Sequence, residues 1–189
     1  VVVQFATGLF GLLPMGWHLW CGYALLAVLL FRIVWGFVGS RSARFGQFLR
    51  GPGAVASYAR TLFDPKPSHW PGHNPLGGWS IVLMLSLMLA QSLTGLFSES
   101  IDLAGPLAAS VDRATARAAE DWHGLLYWPL LLLVLVHIAA GVFHLLHKRE
   151  NLIAPIFGDG KLELERDPAL SFAGSIRALV VLAIAIAVV

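Results

Sequence analysis

The chain has few charged residues and a single cysteine, and each shortage excludes a class of protein. Charged residues make up 13% of its 189 residues, about half the share of a typical soluble domain. The lone Cys21 rules out a disulfide within the chain and a metal site built from cysteine thiolates. The net charge is only +2, which does not describe a surface for nucleic acid. We therefore expect no nucleic-acid partner.

Long apolar runs make up much of the chain. Hydrophobic residues make up 57% of the chain and the mean hydropathy is +0.73. Several runs approach the roughly 20 residues that a helix needs to cross a bilayer. They are continuous and rich in leucine, without the alternation that marks the strands of an outer-membrane barrel. The composition therefore predicts an all-α integral membrane protein.

The apolar runs also predict where the helices lie. Three complete membrane spans are expected, at residues 16–38, 75–97 and 121–147. Residues 1–12 are predicted to be the last turns of a first helix, and 172–189 the start of a further one, so a chain truncated at both ends is expected. The predicted organisation is a four-helix bundle with a partial first helix over 1–155, followed by a cytoplasmic linker and the start of a fifth transmembrane helix over 156–189.

Two connections have features of their own. The segment 39–74 is expected to contain a short amphipathic helix around Gly53–Phe63, whereas 98–120 is expected to be a loop. Arginines dominate 39–74, while acidic residues outnumber basic ones in 98–120. Because positive residues mark the cytoplasmic side, we predict that 39–74 and the residues after 147 are cytoplasmic and that 98–120 lies outside. The term "outer" below refers to this predicted side.

His123 and His137 lie in one of the most apolar segments, "DWHGLLYWPLLLLVLVHIAAGVFHLLHK". Their spacing brings them to within about 40° of the same helix face and about 21 Å apart along the axis. Ionisable residues inside membranes are rare and usually face the bundle interior. Each neutral imidazole there needs a hydrogen-bond partner, a metal or a haem iron.

Glycines accompany two of the histidines. Gly22 follows His18 by four residues, and Gly141 follows His137 by four, so each lies one turn along the same face. The spacing suggests space reserved for a flat macrocycle. Close packing between helices explains such glycines equally simply, because membrane helices use small residues at their contacts.

His18 and His123 both begin spans from the outer side, so they are expected at similar depth. Two facing imidazoles on neighbouring helices suit a six-coordinate haem iron. A zinc site is less favoured because no third ligand lies at that depth. His137 is expected to pair with a residue near the cytoplasmic start of the first helix, and His73 is the alternative partner within the chain.

The remaining candidates lie toward the cytoplasmic side. Arg32 follows His18 by fourteen residues and is expected near the inner surface. It is either a snorkelling side chain or a partner for a haem propionate. His144 and His147 lie beside Lys148 and Arg149 and are expected to be solvated at the interface.

Three segments together resemble the bacterial cytochrome b561 family, in the branch that includes the b-type cytochrome subunits of nickel–iron hydrogenases. They are "WHLWCGYALLAVLLFRIVWGFVGSRSARF", "GHNPLGGWSIVLMLSLMLAQSLTGLF" and "DWHGLLYWPLLLLVLVHIAAGVFHLLHKREN", and the resemblance covers residues 1 to about 155. It implies a four-helix core that binds haem b through one histidine each on helices one and two and two on helix four. His18, His123 and His137 match three of these axial ligands to haem iron; the histidine of the first helix has no counterpart in this chain.

The resemblance further implies an electron-transfer subunit in the bacterial inner membrane that is not itself an enzyme. Such a subunit passes electrons between a redox partner and the quinone pool or another carrier. One haem site would then be complete in this chain, with a second in a full-length protein. Two other hypotheses are a transporter that uses the histidines as a proton relay and a structural anchor that has lost its cofactor.

Overall fold

The structure is a computed structural model that describes residues 2–65, 73–100, 103–152 and 173–189. Within these ranges the regular secondary structure is helical apart from one isolated bridge between Glu99 and Ala104. The α-helices are α1 (Val2–Gly8), α2 (Met15–Val38), α3 (Phe45–Phe48), α4 (Pro52–Arg60), α5 (Pro75–Phe97), α6 (Arg113–Leu146) and α7 (Ser175–Val188). By length and composition, α2, α5 and α6 can each cross a membrane. The prediction of an all-α membrane protein is confirmed.

The helix α5 begins where its sequence predicts. The side-chain oxygen of Asn74 accepts a hydrogen bond of 2.7 Å from the backbone N–H of Gly77. Pro75 occupies the first helical position, where the missing N–H of proline leaves no bond unmade. Both features fix the end of α5 on the predicted cytoplasmic side, and the helix covers the expected residues.

The prediction of a loop over 98–120 is wrong for its second part, because α6 begins at Arg113. The Asp112 carboxylate caps the helix by accepting hydrogen bonds from the backbone N–H groups of Ala114 and Thr115. These bonds hold the pKa of Asp112 below its usual value. The segment 113–120 is rich in alanine, the best helix former, so the helix extends beyond the apolar residues. At 34 residues, α6 is about 51 Å long and exceeds a bilayer core of about 30 Å.

The helices form two antiparallel hairpins that pack side by side. The first consists of α1 and α2, the second of α5 and α6, and α2 also contacts α5. The helix α7 packs against α2, and Arg177 at its start donates a hydrogen bond of 3.2 Å to the carbonyl of Val38. The helix α7 therefore begins beside the end of α2 that is predicted to be cytoplasmic. The predicted boundary near residue 155 and the predicted linker lie outside the described residues, apart from the short stretch that leads into α7.

The predicted amphipathic helix forms as α4, and a polar cluster joins its end to the end of α6. The hydroxyl of Tyr58 lies 3.3 Å from His144 Nε2, and His144 Nδ1 lies 2.9 Å from a carboxylate oxygen of Glu150. Lys148 Nζ donates a hydrogen bond to the carbonyl of Thr61 and lies over the Tyr58 ring. This cluster attaches the cytoplasmic connection to the bundle.

The cluster corrects one sequence expectation. His144 is only 5% exposed, so the prediction of a solvated interfacial residue is wrong for it. The reason is that α4 and the chain after α6 cover this side of the helix end, which helix periodicity alone does not reveal. His147 is exposed as predicted, and its Nε2 lies 2.8 Å from the carbonyl of Phe63.

Replacing Asn74 with alanine should lower the free energy of unfolding by about 1 kcal/mol, because an N-terminal N–H of α5 loses its acceptor. Thermal unfolding of the detergent-solubilised protein, followed by circular dichroism, measures the change. Asn74→Asp is the matched control, since aspartate caps helices as well as asparagine does. Equal midpoints for Asn74→Ala and the parent protein would contradict the assignment of this cap.

Candidate functional site

The two hairpins bring the rings of His18 and His123 together, edge to face, near the outer end of the bundle. Their ring centroids are 6.0 Å apart and the ring planes make an angle of 73°. Two imidazole nitrogens that bind one metal ion at about 2 Å each are about 4 Å apart, which places the ring centroids roughly 6 Å apart. The spacing of His18 and His123 therefore suits two axial ligands of one iron.

The hydrogen bonds of His123 determine which of its nitrogens is free. Its Nδ1 lies 2.9 Å from the backbone carbonyl oxygen of Gln91. A carbonyl can only accept, so Nδ1 carries the hydrogen and Nε2 keeps its lone pair. The hydroxyl of Thr94 lies 3.3 Å from the same Nδ1. The ring is thus fixed in the tautomer that a metal ligand bound through Nε2 requires.

His18 is held in a closely similar way by α1. Its Nδ1 lies 2.9 Å from Oγ1 of Thr7. The Thr7 hydroxyl lies 2.8 Å from the carbonyl of Val3, to which it donates. Its one hydrogen is used there, so the hydroxyl accepts from His18 Nδ1–H. The Nε2 of His18 is again left with its lone pair.

Two glycines make room for the two rings. A Cβ added to Gly8 would lie 3.2 Å from Cε1 of His18, and one added to Gly95 would lie 2.9 Å from Cε1 of His123. Either side chain would push a ring out of position. The glycines that the sequence singled out behave differently: a Cβ at Gly141 would meet no atom of the described residues within 4 Å, and one at Gly22 would meet the side chain of Gln4. Gly141 is therefore not explained by helix packing in this part of the structure.

A cavity of about 420 Å³ surrounds the two histidines, a size in the range of cofactor sites. Apolar side chains such as Phe5, Leu26 and Tyr127 line much of it. The side-chain oxygens of Gln4 and Gln91, which also line the cavity, are buried without a hydrogen-bond partner among the described residues. Unsatisfied buried acceptors are costly, which indicates that a further group belongs in this space.

The connection between α5 and α6 covers the outer side of the cavity. The backbone N–H of Gly105 donates to the carbonyl of Ser98, and that of Leu107 donates to the carbonyl of Leu96. A Cβ at Gly105 would collide with the backbone of Gly95 and Leu96, so only glycine allows this approach. Through Ser100, Leu103, Gly105 and Pro106 the connection lines the cavity that contains the two histidines.

The inner half of the bundle contains the other predicted site residues. His137 is exposed on α6. Partial desolvation lowers the pKa of His73 from its ordinary value, and the nearby charges of Arg32 and His137 lower it further. The guanidinium of Arg32 lies against the rings of Phe45 and Phe48, and its Nη1 is buried without a partner among the described residues. The structure thus brings Arg32, His73 and His137 into one region, distinct from the pair His18 and His123.

Sequence reasoning missed Gln4, Thr7, Gln91 and Thr94. A signal for them is present: the pattern Q-x-x-T-G-L-F occurs twice, as "QFATGLF" at 4–10 and "QSLTGLF" at 91–97. Each copy lies at the outer end of a helix that precedes a histidine-bearing helix.

Among the described residues, no cluster of three or more His, Cys, Asp or Glu side chains is placed to hold a metal ion, which does not favour a zinc site.

Comparison with known proteins identifies the family of the chain. A family model described as prokaryotic cytochrome b561 matches residues 1–159. The probable Ni/Fe-hydrogenase B-type cytochrome subunit of Rhizobium leguminosarum bv. viciae is 27% identical over 169 residues, which cover 79% of this chain and 69% of that protein. No solved structure matches the chain. The chain belongs to the prokaryotic cytochrome b561 family, and it is accordingly a b-type cytochrome that serves electron transfer in the bacterial inner membrane.

Proposed function

We propose that the chain binds haem b between His18 and His123 and passes electrons between a redox partner subunit and the quinone pool or another carrier. The observation that carries this proposal is the facing pair of imidazoles, 6.0 Å apart, with each Nδ1 hydrogen-bonded to the neighbouring helix. Both Nε2 atoms are then available to one iron. The name of the Rhizobium relative, a hydrogenase cytochrome subunit, supports a partner that is itself an oxidoreductase.

The protein residues would have separate tasks in such a site. The haem, when bound, supplies an iron that exchanges one electron. His18 and His123 hold it from two hairpins, so that its position depends on their packing. The apolar lining lowers the local dielectric, and the connection that contains Gly105 limits the access of water. The haem would supply the electron-transfer chemistry. The protein would supply the ligands, the apolar surroundings and the protection from water that adjust the properties of the haem.

We propose His137 as a ligand of a second, inner haem and Arg32 as a partner for a haem propionate. The Nη1 of Arg32 is buried and has no partner among the described residues, which favours an anionic partner over a snorkelling side chain, whose charged end would reach water. The open space at Gly141 is consistent with a flat group beside His137. The charges of Arg32 and His137 both lower the pKa of His73. His73 therefore remains the alternative partner of His137.

Replacing His18 or His123 with alanine should remove the same haem, because each supplies one of its two axial ligands. Reduced-minus-oxidised visible spectra of the purified protein measure the loss. His147→Ala is the matched control, since His147 is exposed and hydrogen-bonded to the carbonyl of Phe63. A parent protein without b-type haem bands would refute the proposed function, and loss of different haems in the two variants would refute the pairing.

Replacing His137 with alanine should leave the haem of His18 and His123 in place and remove any second haem. The haem content per chain and a redox titration distinguish the two sites. His73→Ala tests the alternative ligand: loss of the same haem as in His137→Ala would identify His73 as its partner. Retention of every haem in His137→Ala would exclude His137 as a ligand.

Replacing Gly95 with alanine should remove most of the haem held by His123, because the added Cβ would displace the imidazole ring. The measurement is haem content per folded protein. Gly16→Ala is the control, since Gly16 also lies near the outer end of a helix and a Cβ there would meet no described atom within 4 Å. Equal haem content in the two variants would show that the ring does not need the space at Gly95.

A further inference from the structure

The two copies of Q-x-x-T-G-L-F make similar contacts with two different histidines. In each copy the threonine hydroxyl lies near Nδ1 of the histidine ring, and in the second copy the backbone carbonyl of Gln91 also lies 2.9 Å from that nitrogen. In each copy the glycine leaves the space that the ring fills. The third element agrees as well, since both glutamine side-chain oxygens are buried in the cavity without a described partner.

The helical position of each motif explains how one short string makes all of these contacts. The glutamine and the threonine are three residues apart and therefore lie on one face of the helix, with the glycine adjacent. Each threonine hydroxyl lies within hydrogen-bonding distance of carbonyls three and four residues earlier in its own helix. That local bond uses the hydroxyl hydrogen and leaves the oxygen as an acceptor. The motif thus presents two acceptors and a gap to the facing helix.

The two copies differ in which acceptor is closer. For His123 the carbonyl of Gln91 is at 2.9 Å and the hydroxyl of Thr94 at 3.3 Å. For His18 the hydroxyl of Thr7 is at 2.9 Å, and Thr7 is only 2% exposed. The orientation of His123 therefore depends mainly on the backbone, whereas that of His18 depends on a side chain that a substitution can remove.

We infer that the two Q-x-x-T-G-L-F motifs are a matched pair of positioning elements, one for each axial histidine of the same haem, and that Thr7 sets the reduction potential of that haem through His18. This inference rests on the proposed haem ligation by His18 and His123. An acceptor on Nδ1–H makes the imidazole a stronger electron donor to the metal. Stronger donation stabilises the ferric state, so the loss of the acceptor shifts the potential to more positive values.

The test compares Thr7→Val, which removes the acceptor at nearly constant volume, with Thr7→Ser, which keeps it. A potentiometric titration of the haem absorbance should show a positive shift in Thr7→Val and the parent potential in Thr7→Ser. Thr94→Val should give a smaller shift than Thr7→Val, because the Gln91 carbonyl still holds His123. A purely structural role for Thr7 would lower stability in Thr7→Val without moving the potential.

The outcomes separate this inference from the proposed function. Absence of haem bands in the parent protein refutes the proposed function, whereas a haem with an unshifted potential in Thr7→Val overturns only the role of Thr7. Loss of haem from folded Thr7→Val, with retention in Thr7→Ser, supports the role, and equal loss in both variants overturns it. Should Thr7→Val fail to accumulate in membranes, Thr7→Ala replaces it in the same comparison.

Discussion

The structure depends on satisfying one nitrogen of each of the half-buried imidazoles of His18 and His123 while leaving the other nitrogen without a partner among the described residues. A histidine in hydrocarbon is unfavourable unless its polar atoms find partners. In this bundle the neighbouring helix accepts from Nδ1 of His18 and of His123, so both Nε2 lone pairs remain for a third group. A polar pair that would otherwise destabilise the bundle thereby becomes the ligand pair that we propose for haem iron. Its position requires that α1 and α5 lie within hydrogen-bonding distance of α2 and α6.

The packing of the two hairpins follows from this requirement. Glycine in a helix interior is less favourable than alanine by about 1 kcal/mol, yet Gly8 and Gly95 both occur where a ring needs space. The threonines bond back to their own helix, and such bonding is slightly destabilising in itself. The contact with a histidine on the next helix explains why these unfavourable glycines and threonines occur there. The hairpins are thus built around the rings, with apolar packing in the remaining positions.

The three histidines of α6, together with His147 at its C-terminal cap, show that one segment can use the same residue for different purposes. His123 faces another imidazole, and His137 lies exposed on the inner half of the helix. His144 is buried between Tyr58 and Glu150, where it joins α4 to the end of α6. His147 lies at the surface. Their environments differ because the partners come from other elements, not because of their spacing along α6.

The sequence by itself determined the class of protein, the main spans and the residues able to ligate a haem. Continuous apolar runs leave no alternative to helices for satisfying backbone groups in a membrane, and helix periodicity places His123 and His137 on one face. The cap at Asn74 was likewise predictable, because it depends on neighbouring residues only.

Only the tertiary structure decided which atoms meet. The start of α6 at Arg113 is an exception: a local cap and alanine-rich residues determine it, and hydropathy registers neither. The burial of His144, the proximity of His73 to His137, and the roles of Thr7 and Thr94 depend on contacts between segments far apart in the chain. Periodicity describes one helix at a time, whereas a hydrogen bond to a neighbouring helix requires the distance and rotation between two of them.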